Sequence, residues 1–171
     1  PLVAMFNAGF AENGETDEQV VTTLQGTSDA KFASGLLPVD WKPSRQTSPI
    51  FNYPYARTRE ALHGLARAGA PDPCHGYKLR YVNPASGGAP IATMGTFMQL
   101  LPKGFATAPY RSTDGTVFSV VEGEGESRIG DTVMRWKKRD HFVVPSWARV
   151  EHRADGDAVL FSFSDRPIQE K

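Results

Sequence analysis

Cysteine is all but missing from this 171-residue sequence. Cys74 stands alone, so the chain can build neither an internal disulfide nor a cysteine-based zinc site, and a reducing compartment, the cytoplasm, is its expected home. Charge of one sign is missing too. The 19 basic and 19 acidic residues cancel, which removes the compositional case for nucleic acid or a membrane surface as a partner. No apolar run approaches the roughly 20 residues of a membrane-spanning helix. The opening Pro1–Phe6 stretch is short and carries no basic region, so a signal peptide is not expected. No Gly-x-Gly-x-x-Gly or phosphate-binding loop follows a strand pattern, which sets nucleotide binding aside. What is present is ordinary for a folded domain. Hydrophobic residues make up 40% and charged residues 22%, enough apolar side chain for a real core. The length suits one domain of roughly 100–150 residues with an arm. The first residue is proline where a complete reading frame shows methionine, so a piece of a longer protein is expected.

Residues 1–75 and 76–171 differ in pattern. The first part has weak periodicity, and Gly35–Pro54 carries Pro38, Pro43, Pro49 and Pro54, which suits an extended segment over a surface. Its one helix signal is Thr58–Ala68, with Thr58 as N-cap, Ala61, Leu62 and Leu65 on one face, and Gly69 ending it before Pro71. From Tyr77 onward, short β-branched and aromatic runs alternate with Gly, Pro and Asp: Tyr77–Val82, Thr93–Leu101, Thr116–Glu122, Ser127–Met134, His141–Val144 and Ala158–Ser164. Such spacing predicts an all-β sandwich or small barrel, and the lack of helices between the runs argues against a parallel sheet.

Four histidines are few enough to weigh singly. His63 falls in the helix, His75 follows Cys74 in a proline turn, His141 opens a strand and His152 closes a loop. No pair has the spacing that aims two imidazoles at one metal. A site on His141 and His152 is the weaker reading beside ordinary polar roles. Glu122, Glu124 and Glu126 alternate through a Glu-Gly-Glu-Gly-Glu run. Three carboxylates on one side suit a hard cation, but a glycine-bearing hairpin with solvated acids is the simpler reading. Arg135-Trp-Lys-Lys-Arg139 is read as an exposed hairpin end.

One stretch has a more specific frame. Gly104, five residues, Tyr110-x-Ser112, three residues, Thr116, six residues and Gly123 resemble the first cupin motif in spacing. Tyr110 and Ser112 stand where that motif has its two metal-binding histidines, and Thr116 where it has a glutamate. Asp140–Trp147 resembles the second motif, whose metal histidine falls on Val150, with His152 two residues on. Lys78–Pro84, Thr116–Gly123, Phe142–Trp147 and Phe161–Ile168 are similar to the C-terminal cupin of gentisate 1,2-dioxygenases and the related salicylate 1,2-dioxygenase.

That resemblance implies an all-β fold: a cupin, the double-stranded β-helix or jelly-roll barrel, over 76–171. An irregular arm over 1–75, with a short helix near 58–68, would link it to an upstream barrel. The start at Pro1-Leu2-Val3 echoes the exit Pro167-Ile168. The family's enzymes are bicupins that use Fe(II) and O2 to split gentisate to maleylpyruvate, with iron on three histidines of the N-terminal cupin. For this chain the resemblance implies no catalytic residue, no cofactor and substituted ligand positions at Tyr110, Ser112, Thr116 and Val150. The expected partners are the N-terminal catalytic cupin and other copies in a homo-oligomer. The alternative is a stand-alone cupin that binds a metal or small molecule through His141 and His152, with an arm histidine as helper.

Overall fold

The computed structural model describes residues 24–42 and 47–170. Pro1-Leu2-Val3 and Pro43 lie outside the described residues. The chain divides into two compact units, one of Tyr53–Tyr81 with Thr93–Lys171, the other of Pro1–Asn52 with Val82–Ala92. In the smaller unit, helix α1 (Thr27–Phe32) follows Gly26 and buries Phe32, whose ring lies 5.5 Å from Trp41. Its second segment is a turn in which the Asn83 carbonyl accepts from the Gly87 N–H at 2.8 Å.

The larger unit is the barrel. Helix α2 (Tyr55–Ala68) precedes eight strands: β1 (Tyr77–Arg80), β2 (Gly95–Leu101), β3 (Thr116–Glu122), β4 (Glu124–Ile129), β5 (Thr132–Lys137), β6 (His141–Val144), β7 (Val150–Ala154) and β8 (Ala158–Ser164). A last turn of helix, α3 (Arg166–Gln169), follows. The strands form a five-stranded sheet in the order β1-β2-β8-β3-β6 and a three-stranded sheet in the order β5-β4-β7, antiparallel throughout. Two antiparallel sheets facing each other across one core make the expected all-β cupin barrel.

Period-2 alternation decides which residues face the lumen. Leu101, Phe118, Val120, Trp136, Phe142, Val144, Val150, Ala154, Ala158 and Leu160 form its apolar core. The alternate residues of β1, β2 and β8 face outward, where Tyr77, Met98, Leu100 and Val159 receive Leu62 of α2. Leu62 is 1% exposed, and burying it contributes roughly 2 kcal/mol. At the other end of α2, the Tyr55 hydroxyl donates to Glu122 Oε1 at 2.7 Å and Arg59 Nε to the same oxygen at 3.0 Å. The helix thus belongs to the barrel unit.

Several local expectations are corrected. The helix starts at Tyr55 behind Pro54, not at Thr58, whose hydroxyl instead accepts from Tyr81 at 3.1 Å. The single run read over Ser127–Met134 is a hairpin, β4 and β5, turned by Gly130 (φ 57) and Asp131. Residues 150–154 are a strand, not a loop. The Glu-Gly-Glu-Gly-Glu run closes no hairpin: β3 belongs to one sheet and β4 to the other, and Gly123 (φ 81) is the crossing point. A Cβ on Gly123 would stand 2.5 Å from the Asp157 carbonyl oxygen, so only glycine fits there.

Candidate functional site

The cupin-motif positions form two groups, Tyr110 with Val150 and Ser112 with Thr116. Tyr110 and Val150 form an antiparallel bridge, with Tyr110 N donating to Val150 O at 3.0 Å and Val150 N to Tyr110 O at 2.9 Å. Val150 is 1% exposed and part of the apolar core. Ser112 and Thr116 both turn to a residue that sequence reading passed over, Asp114. The Ser112 hydroxyl donates to Asp114 Oδ1, and Thr116 Oγ1 to Asp114 Oδ2 at 3.3 Å. Arg166 of α3 closes this knot, its Nη2 standing 3.2 Å from Asp114 Oδ1 and 3.1 Å from Ser112 Oγ. Burial pushes the Asp114 carboxyl up, but hydrogen bonds from Ser112 and Ser164 and the Arg166 charge outweigh it and hold the group down at about 2. Asp114 therefore stays ionised and committed to these partners.

Deeper in the lumen lies His152, 1% exposed on β7. Its ring is held edge-on to Phe118 at 5.0 Å and lies 6.0 Å from Phe142 and 6.5 Å from Tyr110. Burial, aided by the charges of Lys78 and His75, pushes its pKa down to about 3, so the imidazole is neutral. Trp136 Nε1, a donor only, gives its proton to Ser127 Oγ at 2.8 Å. Ser127 is fully buried, and its oxygen lies 2.7 Å from His152 Nδ1. A serine hydroxyl has one proton and two lone pairs, so with Trp136 already donating it can give its proton to Nδ1 or accept a second one from it, and both imidazole tautomers satisfy the contact. The ring's Nε2 has no partner among the described residues.

His75, the histidine of the proline turn, also reaches this region. Asp72 Oδ1 accepts from the Cys74 and His75 N–H groups at 2.8 and 2.9 Å, forming the turn, and the His75 ring lies 4.6 Å from Tyr110. Burial first, then the Lys78 charge, lowers its pKa. Lys78 of β1 stands 4.9 Å over the Phe97 ring, and burial brings its ammonium down to about 8. Burial raises the Tyr110 phenol to about 12, so it remains protonated.

His141 is not brought to His152. It is exposed on β6, whose Phe142 and Val144 face the lumen in its place. His63 lies half-buried on α2. The glutamate run is dispersed: Glu122 holds α2, and Glu126 lies 3.8 Å from Arg135, which also pairs with Asp155. In the 135–139 run, Trp136 points into the core and the basic residues are exposed. Among the described residues, no group of three or more His, Cys, Asp or Glu side chains is placed to hold a metal ion. The donors at the ligand positions do not suit iron: valine offers none, and the two hydroxyl positions 112 and 116 serve Asp114. No helix of the described residues is long and apolar enough to cross a membrane.

No protein-family model matches the chain. Among curated proteins, it is 54% identical over all 171 residues to gentisate 1,2 dioxygenase 1 of Aquipseudomonas alcaligenes, and it covers 49% of that protein. It is 35% identical to 5-aminosalicylate 1,2-dioxygenase of a Comamonas species, with 98% of this chain and 45% of that protein covered. Among solved structures, the salicylate 1,2-dioxygenase of Pseudaminobacter salicylatoxidans matches with a TM-score of 0.82 at 30% identity, over 99% of this chain and 50% of that one. The chain spans about half the length of each.

Proposed function

Given that the chain belongs to the gentisate 1,2-dioxygenase family, we propose that it is the C-terminal cupin of a ring-cleaving dioxygenase and carries no iron of its own. In this reading residues 1–75 are the arm from an N-terminal catalytic cupin, its helix α2 docked on the second barrel of residues 76–171. The parent would open gentisate to maleylpyruvate, with Fe(II) in the other barrel supplying oxygen activation. This chain contributes packing surface for that barrel and for neighbouring copies in a homo-oligomer, in the cytoplasm.

The observation that carries the reading is the use made of the ligand positions. Val150 packs in the core. Ser112 and Thr116 bond to Asp114, and Tyr110 keeps its proton. A ferrous facial site needs three protein ligands, such as neutral imidazole lone pairs, and open coordination positions, and the side chains at the ligand positions are a tyrosine, a serine, a threonine and a valine. The alternative site on His141 and His152 lacks support, because His141 faces solvent.

The test is gentisate turnover under air by the 171-residue chain after purification with ferrous iron. We expect no ring cleavage above the protein-free rate. Turnover that is abolished by His152→Ala would overturn the proposal.

A further inference from the structure

Three side chains on the floor of the barrel lumen are buried with hydrogen-bonding atoms left over. Gln99, Ser162 and His152 are 1%, 0% and 1% exposed. Both amide atoms of Gln99, the Ser162 hydroxyl and His152 Nε2 find no partner among the described residues, and neither does Nδ1 of His75. Leaving one such atom unpaired costs about 1–3 kcal/mol, so several in one barrel call for a common explanation.

Their placement is continuous. Lys78 sits directly across from Gln99 in the β1–β2 register. Ser162 sits opposite Phe97 on one side and Phe118 on the other. The Phe118 ring touches His152, and Tyr110 lies between His152 and His75. The row also has a direction. Lys78, His75 and Tyr110 are half-buried, forming a rim, while Gln99, Ser162 and His152 are fully buried, forming a floor.

The chemistry of the row is that of a donor set with one spare positive charge. His152 Nε2 is unpartnered, and it is a donor in the tautomer in which Ser127 gives its proton to Nδ1. Ser162 offers a hydroxyl, Gln99 an amide N–H2, and Lys78 an ammonium. The other nearby cation, Arg166, is already answered by Asp114 at 3.2 Å. One unanswered charge beside neutral donors matches a monoanion with two acceptor oxygens, and a phosphate dianion would ask for more positive charge. Phe118, Phe142 and Trp136 supply apolar walls.

We infer that the lumen is a binding site for a small carboxylate, its charge held by Lys78 and its oxygens by Gln99, Ser162 and the Nε2–H tautomer of His152. The site goes beyond the packing role proposed above and does not depend on it.

The test titrates the full chain calorimetrically with acetate and benzoate, alongside acetamide, benzamide and inorganic phosphate. At least one carboxylate binds saturably at one per chain, with its amide weaker by about tenfold. Lys78→Met weakens that carboxylate by about tenfold while the ligand-free melting temperature is retained. Should Lys78→Met fail to fold, Ser162→Ala takes its place and weakens binding several-fold. No binding of either carboxylate, as for a lumen filled by water alone, overturns the inference. So does equal affinity for the amide, tighter binding of phosphate, or unchanged affinity in the variant that folds. Iron measured on the same samples reports separately on the metal-free reading.

Discussion

Replacing Ser127 by alanine removes one oxygen and strands two buried groups. Ser127 Oγ accepts from Trp136 Nε1 at 2.8 Å and shares a hydrogen bond with His152 Nδ1 at 2.7 Å. The three residues are 0%, 3% and 1% exposed, so water cannot replace the lost bonds without opening the barrel. Each orphaned group costs about 1–3 kcal/mol. Allowing for partial relaxation, Ser127→Ala is expected to destabilise the chain by about 2–4 kcal/mol. That is a large share of the roughly 5–15 kcal/mol that holds a typical domain together. Urea unfolding, followed by tryptophan fluorescence and far-ultraviolet circular dichroism, measures it. A double-mutant cycle with Trp136→Phe isolates the shared bond, because alanine beside phenylalanine strands only the histidine. Imidazole nitrogen shifts in the wild-type protein should show His152 with its hydrogen on Nε2. A loss under about 0.5 kcal/mol in Ser127→Ala would refute the reasoning, and a hydrogen found on Nδ1 would remove His152 from the carboxylate's donors.

Three further outcomes are expected. A Cβ on Gly125 would stand 2.2 Å from the Arg153 carbonyl oxygen and 2.7 Å from the Trp136 ring, so Gly125→Ala should cost at least about 3 kcal/mol in urea melts. Leu62→Ala should cost about 3 kcal/mol by emptying the α2 contact with Tyr77, Met98, Leu100 and Val159. Stability should also depend on pH through His152, whose pKa falls from 6.5 to about 3 on folding. Between those values the unfolded chain holds a proton that the folded chain refuses. Stability is therefore full above pH 6.5 and falls as pH drops toward 3. His75, also lowered by burial, adds in the same direction, whereas Asp114 contributes only below its ordinary 3.8, down to about 2. Thermal melts from pH 7.5 to 4.5 should show a slope that is shallower in His152→Gln, and an unchanged slope would contradict the burial argument.

The barrel was legible because most of its strands are short apolar runs with punctuation, as in Thr116–Glu122 and Ala158–Ser164. Residues 150–154 were not, because the inward residues are Val150, His152 and Ala154 and the outward ones Glu151 and Arg153. A histidine in the core position breaks the apolar alternation on which strand reading depends. The hairpin at Gly130-Asp131 was hidden for the opposite reason: alternation continues on both sides of a two-residue turn. In the site, the cupin spacing pointed to Tyr110, Ser112, Thr116 and Val150, of which Tyr110 pairs with Val150 while Ser112 and Thr116 share Asp114. Asp114 was missed since Asp-Gly reads first as a turn. Lys78, Gln99 and Ser162 were missed since a polar residue in a strand is expected to face water. Only register shows that they face inward.

The most direct measurement is iron per polypeptide in the two-barrel protein that the proposal assigns to this chain, loaded anaerobically with Fe(II), with and without His152→Gln. One iron per polypeptide, unchanged in the variant, is the predicted result, since the proposal assigns the metal to an N-terminal barrel. Two irons per polypeptide, with one lost on His152→Gln, would place a metal in this lumen and contradict the account.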